Sequence, residues 1–314
     1  MATDLMEALH AKARTAPQRV VFPEGADETI QKAARRLSDE GLAAPILLED
    51  PGSDDERARL IEECSHLFPD MSVKGLHRRL RSPLNLGAFL VAAGKADALV
   101  AGIQNTTQDV ILAAMMFVGL QEGVSIPSSM MLMRIPGYEG PEGPLIVFAD
   151  CGVSVAPDAA DLADIALSTA HSVRVLLGWE PRVAMLSFST KGSGDHESVT
   201  RVVDAVQIAR ERDPGLLVDG ELQLDAAIVP SVAVRKVPGE SPVAGRANVL
   251  IFPDLDSGNI ACKCVQRFAK ADAFGPFLQG FCRTVSDLSR GSTVDDVVGA
   301  SVMACVHAQG LKRL

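Results

Sequence analysis

The stretch DLSRGSTVDD, Asp287–Asp296, sets a hydroxyl (Ser289), a guanidinium (Arg290) and a carboxylate (Asp296) close together. A guanidinium is a planar fork that can hold a phosphate or carboxylate through two hydrogen bonds. Thr293 and Asp296 have the spacing of a capping box, so a helix over 293–308 is expected to open here. Its N-terminus would turn the positive end of the helix dipole toward whatever lies in front. Asp296 then has a structural duty as well, accepting backbone N–H bonds at the third helical position. Taken by itself the stretch reads as an anion site.

A second loop has similar chemistry. SFSTKGSGDHESV, 187–199, leaves an expected strand and enters an expected helix. Its backbone N–H groups could cradle a phosphate, with Ser187, Thr190 and Gly192 in the turn and Lys191 adding charge. The alternative is a capped turn between strand and helix. The P-loop pattern GxxxxGK[ST] is absent, and no GxGxxG follows the first strand. The six histidines show no ligand spacing. Asp219, Glu221, Asp225 and Asp254 could gather around a divalent cation, but helix caps and turns explain them as well.

These residues need elements to position them. Short apolar runs at 19–24, 44–49, 96–102, 128–135, 144–150, 182–189, 216–222, 248–254 and 275–281 read as strands covered on both faces. Helical stretches are expected at 26–41, 54–67, 105–119, 156–177, 195–212, 257–270 and 293–308. The alternation predicts an α/β fold with largely parallel sheets. Ligands of such sheets bind beyond the carboxyl ends of the strands. Several strand ends here are polar: Pro23-Glu24-Gly25, Asp150, Ser187–Ser193, Asp219–Glu221 and Pro253-Asp254. GYEGPEGP, 137–144, reads as a hairpin-like loop.

At 314 residues the chain is long enough for about two domains. Hydrophobic residues make up 47% but aromatics only 4%, so Ala, Val, Leu and Gly must fill the cores. A net charge of −10 argues against a nucleic-acid surface, though a local basic pocket could still hold an anion. The six cysteines include no CxxC pair and are expected to be free thiols in a reducing compartment. The N-terminal stretch lacks the apolar core of a signal peptide, and no apolar run approaches a membrane span of roughly 20 residues. A cytoplasmic protein is expected.

Longer blocks now carry a resemblance. RVAMLSFSTKGS (182–193), VDGELQLDAAIVP (218–230), SPVAGRANVLIFPDLDSGNI (241–260), GPFLQG (275–280) and DLSRG (287–291) resemble phosphate acetyltransferases. VFPEGADETI (21–30) and VFADCGV (147–153) extend the likeness to nearly the whole chain. The resemblance implies two α/β/α domains of the isocitrate/isopropylmalate dehydrogenase type. One would comprise 1–123 plus 276–314, with 124–275 inserted as the second and an interdomain cleft for substrates. It implies acetyl-CoA plus phosphate giving acetyl phosphate plus CoA in either direction, a homodimer, and no metal or other cofactor. Asp296 falls at the family's base, which takes the thiol proton of CoA, because the thiolate is the nucleophile. Ser289 and Arg290 fall at residues that bind and stabilise the reacting groups.

The likeness has gaps. The family pattern after the third strand is roughly G-A-x-H-[ST]-[ST]-x-D-x-x-R-P, and here it reads AGIQNTTQDVILAAMM, 101–116. Asn105 stands at the His position and Leu112 at the Arg position, while Thr106, Thr107 and Asp109 keep the pattern. A second family arginine has no counterpart in line, though Arg78, Arg79 and Arg81 lie near its place. Two alternatives therefore stand beside the acetyl transferase. One is a phosphate butyryltransferase-type enzyme; the other is a non-catalytic acyl-CoA-sensing protein.

Overall fold

The computed structural model describes residues 2–312. Its first elements are α1 (Ala2–Thr15), β1 (Gln18–Phe22), α2 (Glu28–Asp39), β2 (Ala43–Leu47), α3 (Asp54–Cys64), α4 (Val73–Arg79), α5 (Pro83–Ala92), β3 (Ala98–Ala101) and α6 (Thr107–Phe117). Then come β4 (Ser128–Arg134), β5 (Leu145–Ala149), α7 (Ala159–Leu177), β6 (Arg182–Leu186), α8 (Glu197–Arg212) and β7 (Leu217–Leu222). The last are α9 (Leu224–Ile228), α10 (Pro230–Lys236), β8 (Val249–Ile251), α11 (Leu255–Phe268), β9 (Asp272–Gln279), β10 (Thr284–Asp287) and α12 (Val294–Leu311). The mixed α/β class expected from the alternating pattern is the class observed.

Helix starts follow local chemistry. Asp27, Ser53, Ser72, Ser82, Thr106, Asp158, Asp254 and Thr293 sit at N-caps, and each side chain accepts from a backbone N–H of the first turn. These bonds satisfy amides that the helix itself leaves open.

The chain forms two compact units. The first comprises residues 1–120 and 281–314. Its strands run in the order β2-β1-β3-β10, all parallel. Helix α12 packs on β1, β3 and β10, with α1 and α2 beside it, while α5 lies against β1, β3 and α6. Val20, Val21, Phe22, Ala98, Leu99 and Val100 are fully buried, as strands covered on both faces require.

The second unit is the continuous segment Gln121–Gly280. Its strands run in the order β9-β4-β5-β8-β6-β7. Strands β5, β8, β6 and β7 are parallel, whereas β4 is antiparallel to both β5 and β9. Segment 137–144 turns β4 into β5, with Gly140 and Gly143 bridged across it. The unit boundaries differ from those expected at 123 and 276. Residues 276–279 belong to β9, where Leu278 and Gln279 pair with Ser129 and Ser128 of β4. Gln121 N donates to Gly280 O, which draws 121–123 into the same unit.

Among the described residues, no helix is long and apolar enough to cross a membrane.

Candidate active site

The first unit gathers its chemistry at the carboxyl ends of β1, β3 and β10. Glu24, just after β1, is buried. Its carboxylate accepts from Gly102 N (3.0 Å), Ile103 N (3.1 Å), Gln104 N (2.8 Å), Asn105 N (2.8 Å) and Asn105 Nδ2 (2.7 Å). One carboxylate thus fixes the whole loop leaving β3. Bonds of this charge-assisted kind are about twice as strong as neutral ones. Asn105 is therefore a loop anchor tied to Glu24.

Thr106 caps α6 in a capping box with Asp109. Thr107 Oγ1 donates to Asp287 Oδ2 at 2.5 Å, and Leu288 N donates to Ala101 O at 2.7 Å, so the loops leaving β3 and β10 are bonded to each other. The contact is close enough to require glycine at 102, where φ is +119° and a Cβ would lie 2.4 Å from Asp287 Oδ1. Asp287 is buried, and its Oδ1 has no hydrogen-bond partner. Burial pushes its carboxyl up to about 6; the Thr107 bond opposes the shift and the negative charge of Glu24 adds to it.

Ser289 and Arg290 lie in the turn from β10 into α12, and Asp296 lies in the first turn of α12. Ser289 and Arg290 are exposed. Ser292 Oγ accepts from Ser289 N at 3.1 Å and Ser292 N donates to Ser289 O at 2.9 Å, which shapes the turn. Arg290 makes no hydrogen bond or ion pair with the described residues. The expected capping box is present: Asp296 Oδ2 accepts from Thr293 N and Thr293 Oγ1, both at 2.8 Å. Its other oxygen, Oδ1, accepts no bond from the described residues. The neighbouring Asp295 pairs instead with Arg36 at 2.5 Å.

The Ser187–Ser193 loop belongs to the second unit, and its polar groups are used within that unit. Gly192 N and Ser189 Oγ donate to Glu221 Oε1 at 2.7 and 2.8 Å, and Thr190 N donates to Ser193 Oγ at 2.9 Å. Thr190 Oγ1 accepts from Gln223 N. Ser187 Oγ accepts from Ser189 N. Lys191 Nζ reaches Asp219 Oδ1 and Gly220 O, both at 2.6 Å. Asp219 also accepts from Arg210 and Ser241. Burial alone would raise its carboxyl, but Lys191 and Ser241 outweigh burial and hold it below the usual range. The bonds that order this loop thus employ the amides and the ammonium that the sequence suggested for an anion.

The other polar strand ends also have internal duties. Asp150 accepts from Ser129 N, Ser129 Oγ, Gly152 N, Val153 N and Ser154 N, and Asp254 caps α11. Asp219, Glu221, Asp225 and Asp254 do not assemble: no group of three or more candidate metal ligands occurs among the described residues. Leu112, on α6, is about half exposed. Sequence reasoning listed Glu24 among polar strand ends but missed its task, and it gave Asp287 none. For Glu24 the one available signal was its place at a strand end; Asp287 had none, because its strand was not expected.

Loops at the carboxyl ends of parallel strands, with an unpaired guanidinium before a helix N-terminus, define an α/β enzyme that handles anions. The family model described as "Phosphate acetyl/butaryl transferase" matches residues 4–67 and 64–305. A phosphate acetyltransferase of Thermoanaerobacterium thermosaccharolyticum is 42% identical over 327 aligned residues, covering 97% of this chain and 99% of that one. A phosphotransacetylase from Streptococcus pyogenes superposes with a TM-score of 0.88 at 36% identity, covering 98% of this chain and 99% of that one. A 4-hydroxythreonine-4-phosphate dehydrogenase from Burkholderia phymatum, at 14% identity and a TM-score of 0.51 over 94% of this chain, shares the fold alone. The chain belongs to the phosphate acetyl/butaryl transferase family.

Proposed function

We propose that the protein transfers an acetyl group reversibly between CoA and inorganic phosphate: acetyl-CoA and phosphate give acetyl phosphate and CoA. The observation that carries this reading is the unpaired, exposed Arg290 beside Ser289, with a free carboxylate oxygen on Asp296 in the first turn of the helix that follows. In the direction of acetyl-CoA synthesis, Asp296 takes the proton from the CoA thiol and the thiolate attacks the acetyl carbonyl. The carbonyl oxygen gains negative charge as its double bond opens. Ser289 donates to the reacting group, and Arg290 holds the phosphate as it leaves. Asn105, Thr106 and Thr107 shape the neighbouring wall, and Ser187, Thr190, Lys191 and Gly192 order their own loop within the second unit. The reading assigns no metal or redox cofactor, and CoA enters as a substrate. It takes the enzyme as a cytoplasmic homodimer; sedimentation of the purified protein tests the dimer.

Phosphate-dependent release of free thiol from acetyl-CoA tests the reaction. Wild type should release CoA, and Arg290→Ala should lower kcat/KM on the order of 10²–10³-fold, the loss typical of removing one such stabilising donor. Acetyl-CoA binding without release would overturn the enzyme reading and leave a sensor. Leu112 at the place of a family arginine favours a second reading, transfer of a longer acyl group. Faster release from butyryl-CoA than from acetyl-CoA would establish it.

A further inference from the structure

We propose that Cys151 and Cys262 form a dithiol redox site, in which a hydroperoxide closes a disulfide tying α11 to the loop that leaves β5. The two Sγ atoms lie 3.0 Å apart. That is about 1 Å more than a disulfide bond. Nothing in the sequence pairs them, since 111 positions separate them.

The backbones on both sides are already held in place. Asn259 Nδ2, on α11, donates to Cys151 O at 3.0 Å. Gly258, one position earlier, approaches so closely that a Cβ would lie 2.1 Å from Asp150 O. The loop is pinned in turn by the bonds that Asp150 accepts from Gly152 N, Val153 N and Ser154 N. Closing the bond therefore asks for small side-chain rotations and leaves the packing of helix on loop as it is.

The environment divides the roles. The Cys151 thiol is pushed up by its bond to Cys262, by burial, and by the charge of Cys262 and Asp150. Cys262 is held below its ordinary value by the bond from Cys151, against burial and with help from Lys263. Cys262 is the more readily ionised of the pair, and it is as a thiolate that a cysteine reacts with peroxide. Its sulfur attacks one peroxide oxygen; the O–O bond breaks, and hydroxide leaves and takes up a proton as water. The Cys151 sulfur then attacks the sulfenic sulfur of Cys262 and releases a second water, which carries off the Cys151 proton. Two thiols lose two electrons and one hydrogen peroxide becomes two waters. Both cysteines are buried, so the oxidant must be as small as hydrogen peroxide. Cys264 and Cys282 are exposed, but neither contacts another sulfur among the described residues.

The test treats the whole folded protein with stoichiometric hydrogen peroxide, blocks free thiols by alkylation, and maps the peptides by mass spectrometry. The thiol count of the urea-unfolded chain should fall from six to four. Peptides bearing Cys151 and Cys262 should be recovered as one linked species that dithiothreitol separates. The oxidised protein should also unfold at a higher urea concentration, because the link closes a long loop. Cys262→Ser, treated alike, should keep all five of its thiols. Six thiols left in wild type, a link through Cys264 or Cys282, or thiols lost without a link would each overturn the proposal. The peptide map of wild type decides the matter even if the variant fails to fold.

Discussion

Two buried carboxylates beneath the candidate site have different partners. Glu24 accepts five hydrogen bonds from N–H donors of the loop leaving β3. Asp287 has one hydroxyl partner and an oxygen with none, so its neutral form is the easier one to bury. Its carboxyl, raised from 3.8 to about 6, makes stability depend on pH. Between those values the folded protein holds a proton that the unfolded chain has released, so the Asp287 contribution is complete below pH 4 and lost as pH rises through 6. The shift corresponds to roughly 3 kcal/mol. Asp287→Asn cannot ionise and still offers an oxygen to Thr107. Its urea stability relative to wild type should therefore rise between pH 4 and pH 7. Comparing the two proteins cancels the other titrating groups, and parallel pH profiles would show that Asp287 is ionised throughout.

Among the elements, α12 matters most to the chemistry, because its first turn combines a cap and a proposed proton acceptor in Asp296. The two duties can be separated. Thr293→Ala removes the hydroxyl that serves the Asp296 amide, and should cost about 1 kcal/mol of stability while leaving kcat within a few-fold. Asp296→Asn keeps an oxygen for the cap, so it should unfold near the wild-type midpoint with kcat lowered on the order of 10²–10⁴-fold. Equal activity losses in the two variants would mean that helix order, not proton transfer, is what the site requires. This cap was legible in the sequence because capping spans only three residues. The apolar strands were legible for a similarly local reason. Strand β10 was not: TVSD has one apolar side chain, and it is buried because β3 lies beside it. Helix α5, PLNLGAFLVA, escaped because it is apolar nearly all round and carries no helical period. The Glu24 cradle and the Cys151–Cys262 contact join residues far apart in the chain, and no local pattern reports them. The Lys191 loop reads differently in the structure for the same reason: its partner, Asp219, comes from another strand.

For the whole molecule, the chain order makes the two units unequal as folding entities. Residues 121–280 are continuous and contain the six hydrogen-bonded strands β9-β4-β5-β8-β6-β7 and a core of their own, including Phe148, Phe252, Leu250 and Ala184. The first unit closes only when the C-terminal segment returns. Without residues 281–314, β3 loses its partner β10, and β1, β3 and α2 lose the cover of α12, where Val297, Val302 and Val306 are fully buried. Exposing such side chains costs about 1.5–3 kcal/mol each, and an isolated domain has only about 5–15 kcal/mol in reserve. A fragment of residues 121–280 should therefore unfold in urea as one cooperative step, followed by circular dichroism. A fragment of residues 1–120 should show no such step, and joining residues 281–314 to it through a short flexible linker should restore one. Cooperative unfolding of 1–120 alone would show that β10 and α12 are additions to a core that is complete without them.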